Sequence, residues 1–468
     1  MNLLWSRRIR NLHFIGIGGA GMSGMAEILR ANGFIVTGSD LAESETTDHL
    51  TAVGITLFIG HDPKHIHGAD LIVISSAVTP DNPEVRAARE AGLPVIRRAE
   101  MLGELMRLKF SIGIAGTHGK TTTTSMIGHI LTHAGMDPTV IVGGRLVSLD
   151  ANAQLGSSDY LVAEADEYDR SFLCLHPTIA IATNLEEDHL DCFADLADLQ
   201  DNFVAFFGRV PFYGSVLTNA ASPALAAIDF RINRRHRTFA LESPADISGD
   251  SLEVKPTTSR FDVHMDGGRM GTLMVPLPGR HNAENALAAC AVALELEIPF
   301  ATIAEAVHSF QTVGRRFEIK GAAAGVTVID DYAHHPTELR AALAAARLWL
   351  DGRGRLIALF QPHLYSRTQQ FHQQFAEALQ LADGVILAPI YPAREQPIPG
   401  VTSALITDRI DSSTLPLGCR LANSLDELPA LVSEWAESGD AVMTIGAGSI
   451  YRVGPVILKR LSRIEVNA

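Results

Sequence analysis

Residues 111–124, Ser-Ile-Gly-Ile-Ala-Gly-Thr-His-Gly-Lys-Thr-Thr-Thr-Thr, pass from an apolar strand-like run through a glycine turn into a string of hydroxyls that opens a helix. Strand, turn and helix in immediate succession are the repeating unit of a parallel α/β sheet. Glycines let backbone N–H groups curl around phosphate oxygens, and a helix N-terminus adds partial positive charge there. In this reading Lys120 sets a point charge against the terminal phosphates, and Thr121 offers a hydroxyl to Mg²⁺. The common phosphate loop has its first glycine where this chain has Ile114, so the loop is the shortened Gly116-Thr117-His118-Gly119-Lys120-Thr121. A Thr-rich helix start after a strand is the bland account; the register of all three parts favours a chain that uses ATP.

The same alternation runs outward in both directions. Upstream, Leu12–Met22 reads as a buried strand turning into a helix that reaches Leu29, and Phe34–Asp40 as the next strand. Leu71–Ser75 and Pro94–Ile96 read as strands with a helix over Pro83–Ala91 between them. Downstream, Tyr160–Glu164, Ile179–Thr183 and Gly214–Leu217 read as strands, Ala240–Gly279 is rich in β-type residues and turns, and Asn282–Leu296 is an Ala-rich helix. A third series has strands at Val326–Ile329, Leu356–Phe360, Gly384–Pro389 and Ala441–Ile445, with a helix over Thr337–Trp349. The expected fold is α/β in three domains: a Rossmann-like parallel sheet over 1–108, a phosphate-loop ATPase domain over 109–320 and a second Rossmann-like domain over 321–468.

Composition agrees with several packed cores. The 468 residues are 47% hydrophobic and 19% charged, which describes a globular enzyme. A net charge of −15 and the lack of any long Lys/Arg run argue against a nucleic-acid partner. Cys174, Cys192, Cys290 and Cys419 show no Cys-x-x-Cys spacing, so neither a zinc knuckle nor a redox pair is expected. Arg7, Arg8 and Arg10 precede only a short apolar run that breaks into glycines. With no signal peptide and no long apolar run, the expectation is a cytoplasmic protein without membrane insertion.

Further motifs fall at successive strand ends. Gly16-x-Gly18-x-x-Gly21 lies on a strand-to-helix turn, and Asp40 closes the following strand. That pattern suits a pyrophosphate on the helix N-terminus and an acid on a ribose hydroxyl, for a nucleotide diphosphate substrate as well as for a dinucleotide. In Glu164-Ala165-Asp166-Glu167-Tyr168-Asp169, period two puts Glu164 and Asp166 on one side, with Glu164 favoured as a Mg²⁺ ligand. Asp188-His189 follows the next strand; Asp188 fixes the tautomer of His189, or His189 binds a second Mg²⁺ or orients a phosphate. Asn282 and Asn285, three apart on a helix, suit an adenine edge, although N-capping by Asn282 would explain one of them.

Toward the C-terminus, Arg315 and Arg316 stand beside a domain junction, placed to reach a γ-phosphate or to form a surface ion-pair cluster. Asp330-Asp331-Tyr332-Ala333-His334-His335 follows a strand, where two acids and two imidazoles are expensive as mere packing. His363 and Arg367 follow another strand, four apart and suited to a shared anionic ligand.

Taken together, these motifs resemble the Mur ligases, ATP-dependent amide-forming enzymes of peptidoglycan precursor synthesis. The resemblance is carried by HFIGIGGAGMSG, SSAV-x-x-DNPE, VIRRAEML, AGTHGKTTTT, DDYAHHPTE and FQPHLYSRT, and runs from about residue 12 to about 455. Within the family these segments point to the branch whose substrates are UDP-N-acetylmuramate and L-alanine. The resemblance implies an N-terminal UDP-sugar domain, a central ATPase domain and a C-terminal domain that helps bind the amino acid. It implies ATP and Mg²⁺ as cofactors, and phosphorylation of the lactyl carboxylate to an acyl phosphate that the amine of L-alanine attacks. Thr121, Glu164 and His189 match the family's metal positions. Gly116, Thr117, His118, Gly119, Lys120, Thr121, Thr122, His281, Asn282, Asn285, Arg316 and Asp331 are assigned to ATP. Gly16, Gly18, Gly19, Ala20, Gly21, Met22, Ser39, Asp40, Ser75, His363 and Arg367 are assigned to the UDP-sugar. Lys120, Glu164, His189 and Arg316 are implied in catalysis, and His334 and His335 in holding or deprotonating the incoming amine.

One departure supports that branch. Several ligases of later steps carry a carbamylated lysine where this chain has Phe203, which leaves the ligands of a second Mg²⁺ open. The main rival is the murein-recycling ligase, which joins a ready-made tripeptide to the same nucleotide sugar; its glycine loop departs from GIGGAGM. An NAD-dependent oxidoreductase would leave the ATP loop unexplained, and a noncatalytic nucleotide-binding regulator would not need Lys120 and Glu164 together. The oligomeric state, monomer or homodimer, is open.

Overall fold

Short apolar strands bounded by glycine turns pair side by side when each is followed by a helix that covers the sheet, and this chain builds three sheets that way. The computed structural model describes residues 8–75, 77–146, 151–187, 192–311, 314–393 and 395–466. The first sheet comprises β1 (Asn11–Ile15), β2 (Ile35–Asp40), β3 (Thr56–Ile59), β4 (Leu71–Ile74) and β5 (Val95–Arg97), in the order β3-β2-β1-β4-β5. All its pairs are parallel. Strand order reverses at β1, and a crevice opens there at the carboxyl ends, where α/β sheets bind ligands.

The second sheet contains β6 (Phe110–Ala115), β7 (Thr139–Leu146), β8 (Ala151–Gln154), β9 (Tyr160–Glu164), β10 (Ile179–Ala182), β11 (Ser215–Asn219), β12 (Arg235–Leu241), β13 (Ile247–Val254), β14 (Ser259–Met265) and β15 (Gly268–Val275). Its order is β15-β14-β13-β12-β11-β10-β6-β9-β7-β8. The β-rich stretch after residue 240 thus extends this second sheet. β6 runs between β10 and β9, so the carboxyl ends of these three parallel strands lie side by side.

The third sheet holds β16 (Glu318–Ala323), β17 (Val326–Asp331), β18 (Leu356–Phe360), β19 (Gly384–Leu387), β20 (Gly418–Leu421) and β21 (Ala441–Ile445), in the order β16-β17-β21-β18-β19-β20. Only the edge strand β16 is antiparallel to its neighbour here, and the expected cut after residue 320 falls inside it. The chain divides into two compact units, one holding residues 1–251, 262–273 and 284–311, the other 252–261, 274–283 and 312–468. Among the described residues no helix is long and apolar enough to cross a membrane.

The expected elements are present with shifted ends. The Ala-rich helix spans Arg280–Glu295, so Asn282 sits inside its first turn and is not its N-cap; its amide donates to the Pro278 carbonyl at 2.7 Å. The helix after β17 spans Pro336–Leu350.

Candidate active site

The crevice of the first sheet is a cavity of about 640 Å³, lined by Gly16 and Gly18 after β1, Asp40 at the end of β2, His61 after β3, and Ser75 and Asn82 after β4. The Asp40 carboxylate accepts the Gly18 N–H and the Leu41 N–H, both at 2.8 Å, and so ties the glycine turn to the end of β2. Gly19 lines the cavity and Ala20 opens the following helix. Of the residues assigned to the UDP-sugar from sequence, Gly21, Met22, Ser39, His363 and Arg367 are not in the lining of this cavity: Met22 is buried in the core, the Ser39 hydroxyl donates to Glu84 at 2.7 Å, and His363 and Arg367 belong to the other compact unit.

Glu84 is fully buried. Burial alone would push its carboxyl up, but hydrogen bonds from His13, Ser39 and His65 more than offset that and hold it at about 2. A carboxyl held below its unfolded value stabilises the fold above the unfolded value of 4.5 and loses that contribution as pH falls through 2. The difference amounts to roughly 3 kcal/mol. Glu84→Gln is therefore expected to flatten the acid-unfolding profile between these limits, followed by circular dichroism against pH; an unchanged acid slope would contradict it.

The phosphate loop is built from three strand ends of the second sheet. Gly116 has φ +133°, and a Cβ there would lie 2.1 Å from Thr183 Oγ1. Gly119 has φ +82° and caps the helix Lys120–His133 without any side-chain hydrogen bond. The first helical N–H groups of Lys120, Thr121 and Thr122 therefore face the loop without intrahelical acceptors. The N–H groups of Thr117 and His118 do not: Thr117 N–H donates to the Asn184 carbonyl at 3.2 Å and His118 N–H to Asn184 Oδ1 at 2.8 Å. Asn184 Nδ2 in turn donates to the His118 carbonyl at 3.1 Å. Asn184 thus engages the N–H groups of the first half of the loop and holds its turn in place.

Asn285 braces the loop from the Ala-rich helix. Its Oδ1 accepts the Thr123 hydroxyl at 3.3 Å and lies 2.3 Å from where a Gly119 Cβ would be. Gly119→Ala combines left-handed backbone strain with this collision and is expected to destabilise by about 1–3 kcal/mol. It is also expected to raise the KM for ATP about tenfold or more. Thermal melts and ATP titration of the rate check both, and an unaltered KM would count against the loop assignment.

Lys120 folds over this loop. Its ammonium donates to Glu167 at 2.7 and 3.0 Å and to the Gly116 carbonyl at 2.7 Å, with Asp166 at 3.8 Å. Burial would lower its pKa, but Glu167, Asp166 and Glu164 more than offset that and hold it above the ordinary lysine value. Glu167, almost fully buried, was missed from sequence. The strand ends at Glu164, so period two does not reach Asp166, which is half exposed. Glu164 pairs in register with Ile114, at the end of the strand that feeds the loop. The Glu164 carboxylate at this strand end and the Thr121 hydroxyl in the first helical turn are hard oxygen donors of the kind Mg²⁺ prefers. Asp188 and His189 lie outside the described residues.

Phe203 is buried against Phe172 and Phe207, at ring separations of 5.3 and 6.1 Å. A lysine side chain at this position would be enclosed by aromatic rings.

In the other unit, Arg315 and Arg316 diverge. The Arg315 guanidinium lies between Tyr332 and Tyr451, bonds Asp330 at 3.0 Å and donates to the Gly446 carbonyl, so it holds the turns after β17 and β21 together. Arg316 lies on the Tyr332 ring with Glu338 at 3.9 Å. Asp331 accepts the N–H groups of Phe317 and Ala333, both at 2.8 Å. Burial pushes its carboxyl up to about 6 against the pull of Arg316 and those two donors. His281 is pushed down to about 4 by burial and by the Arg316 charge.

His334 and His335 have different surroundings. His335 caps the helix Pro336–Leu350, its Nδ1 accepting the Thr337 N–H at 3.4 Å, and its ring packs edge-on against Phe371. His334 Nδ1 lies 3.1 Å from the Tyr332 carbonyl and 3.3 Å from Glu338, and its ring is 5.9 Å from His363. Arg316, His334 and His363 thus gather at the carboxyl ends of β17 and β18. Leu364, with φ +71°, precedes the helix Tyr365–Leu379, so His363 lies off the helix that carries the buried Arg367 and the two do not share a helical face.

Family models match the chain in three consecutive stretches: Mur ligase family, catalytic domain, over residues 11–110; Mur ligase middle domain, over 114–293; and Mur ligase, glutamate ligase domain, over 315–448. A UDP-N-acetylmuramate–L-alanine ligase of Geobacter sp. (strain M21) is 46% identical over 460 residues, covering 97% of this chain and 98% of the relative. The crystal structure of UDP-N-acetylmuramate-alanine ligase MurC from Thermotoga maritima matches with a TM-score of 0.80 and 29% identity over 98% of this chain and 100% of that one. A murein peptide ligase from Psychrobacter arcticus 273-4 matches with a TM-score of 0.71 and 26% identity, over 97% of this chain and 99% of that one.

Proposed function

The chain belongs to the Mur ligase family, and we propose on that footing that it joins L-alanine to the lactyl carboxylate of UDP-N-acetylmuramate, using ATP, in peptidoglycan precursor synthesis. The observation that carries this reading is identity of 46–47% with UDP-N-acetylmuramate–L-alanine ligases over nearly the whole chain. ATP transfers its γ-phosphoryl group to the carboxylate and leaves as ADP. The amine of L-alanine attacks the acyl-phosphate carbonyl, gives up a proton, and inorganic phosphate departs. Since a carboxylate is a poor electrophile, the protein's task is to position three substrates and to stabilise spreading negative charge.

Lys120 and the Gly119–Thr122 N–H groups take the β- and γ-phosphates. Thr121 and Glu164 would hold Mg²⁺, with His189 as the further ligand implied by the family resemblance. When bound, Mg²⁺ offsets phosphate charge. The family resemblance assigns Arg316 to the transferring phosphoryl group, and we read His334 as the group that receives the amine, whereas His335 caps the helix that follows. The cavity beside Gly16, Gly18 and Asp40 takes the nucleotide half of UDP-N-acetylmuramate. Domain limits near residues 108 and 320 and a cytoplasmic location belong to the same reading.

Phosphate release from ATP with Mg²⁺ and UDP-N-acetylmuramate tests it, with L-alanine in one reaction and L-Ala-γ-D-Glu-diaminopimelate in another. Turnover with L-alanine is the expected result. Turnover with the tripeptide alone would reassign the protein to recycling, and silence in both would overturn the ligase reading.

A further inference from the structure

Beneath the nucleotide cavity, five donors converge on the single buried carboxylate of Glu84. Oε2 receives Ser39 Oγ at 2.7 Å and His13 Nε2 at 3.1 Å; Oε1 receives His65 Nδ1 at 2.8 Å, the Asp62 N–H at 3.2 Å and His61 Nδ1 at 3.4 Å. Of these donors' side chains, His61 also lines the cavity. Ser39 has one hydroxyl proton and donates it to Glu84, so its oxygen, 3.2 Å from His61 Nδ1, can only accept there. Both neighbours of His61 Nδ1 are therefore acceptors, an arrangement that favours the tautomer with its proton on Nδ1. The opposite edge of the ring, with the Nε2 lone pair, is turned away from Glu84.

We propose that Glu84 is a positioning residue of the nucleotide-sugar site, holding His61 as the Nδ1–H tautomer so that Nε2 faces the cavity as a hydrogen-bond acceptor for the nucleoside. The inference rests on the assignment of this cavity to UDP-N-acetylmuramate. His61 follows β3, beyond Asp40 and on the far side of β2 from the glycine turn, which puts it toward the nucleoside end of a diphosphate seated on that turn. The shared ligand chemistry is a donor on the nucleoside: the imide N–H of uracil or a ribose hydroxyl. A buried carboxylate that orients a ligand-facing imidazole is the arrangement by which metal sites and catalytic dyads fix a tautomer. Here it would serve recognition. Pro83 at the first helical position and Asn82 as N-cap, accepting the Glu84 N–H at 2.9 Å, fix the helix start that carries Glu84 under the cavity.

The test is calorimetric binding of UDP to the full-length protein, its Glu84→Gln and His61→Ala variants and the double variant, with ring-nitrogen chemical shifts of His61 read by NMR. Each single change is expected to weaken UDP about tenfold, and the double variant no further, since both remove one hydrogen bond. Glu84→Gln is expected to shift the proton between the His61 ring nitrogens. The KM for UDP-N-acetylmuramate should rise while kcat and the KM for ATP hold. CDP in place of UDP tests the imide, and 2′-deoxy-UDP tests the ribose; His61→Ala should abolish the discrimination shown by whichever supplies the donor. If Glu84→Gln does not fold, His61→Ala decides alone. Unchanged UDP affinity in His61→Ala, or an unaltered tautomer in folded Glu84→Gln, overturns the inference while leaving ligase activity intact. Failure of the unaltered protein to bind UDP would overturn the cavity assignment itself.

Discussion

Lys120→Ala is expected to lower kcat about a thousandfold, the scale on which enzymes lose rate when a fixed charge facing a transition state is removed. The same substitution has a second consequence. Glu167, almost entirely buried, would lose the Lys120 ammonium that donates to both of its oxygens. Removing one partner of a buried pair costs about 3–5 kcal/mol, because the remaining charge stays desolvated. Turnover and thermal stability should therefore fall together. Pairing Lys120→Ala with Glu167→Gln separates them: stability should largely return, since no charge is left unpaired, and turnover should not. Phosphate-release kinetics and melts on the two variants check this. Recovery of turnover in the double variant would mean that Lys120 acts by holding Glu167, not by contacting phosphate.

Phe203→Lys is expected to destabilise the protein by more than about 4 kcal/mol. The ring is fully buried and touches Phe172 and Phe207 in a cluster that also includes Phe206. Replacing it removes packed aromatic surface and inserts an ammonium with no described carboxylate in that cluster. Phe203→Leu, which stays apolar, should lose far less. Urea midpoints of both variants make the comparison. A lysine variant with the parental midpoint would show that the pocket can open to water and hold the modified lysine of other family branches.

The parallel architecture was legible because each buried strand is a short apolar run ending in a glycine or acidic turn, as at Phe14–Gly19 and Ile112–Gly116. Alternation of that kind reports local structure directly. What it does not report is the path of the chain after a strand ends. Period two grouped Glu164 with Asp166, yet the chain leaves the strand at Glu164 and carries Glu167 inward to Lys120. Asn184 gave no signal at all, since a single amide after a strand looks like any loop residue. The spacing of Asn282 and Asn285 was a correct helical observation that did not show their partners within the fold, since one amide satisfies Pro278 and the other braces Gly119 and Thr123. At His334-His335-Pro336 two adjacent imidazoles look alike in the sequence, and only the fold shows that His335 is an N-cap beside a proline in the first turn.

The cavity of the first sheet is lined by the strand ends of that one sheet and the segments that follow them, while the phosphate loop belongs to another. On the proposed reading, the nucleotide of the substrate is gripped by one piece of protein and the reacting carboxylate is served by a different one. The uridine diphosphate then works as a handle. A grip on a handle is indifferent to what is fastened at the far end, so the same first sheet could receive a substrate that has grown by further residues. Discrimination between an unmodified and an extended substrate must accordingly reside in the other two sheets.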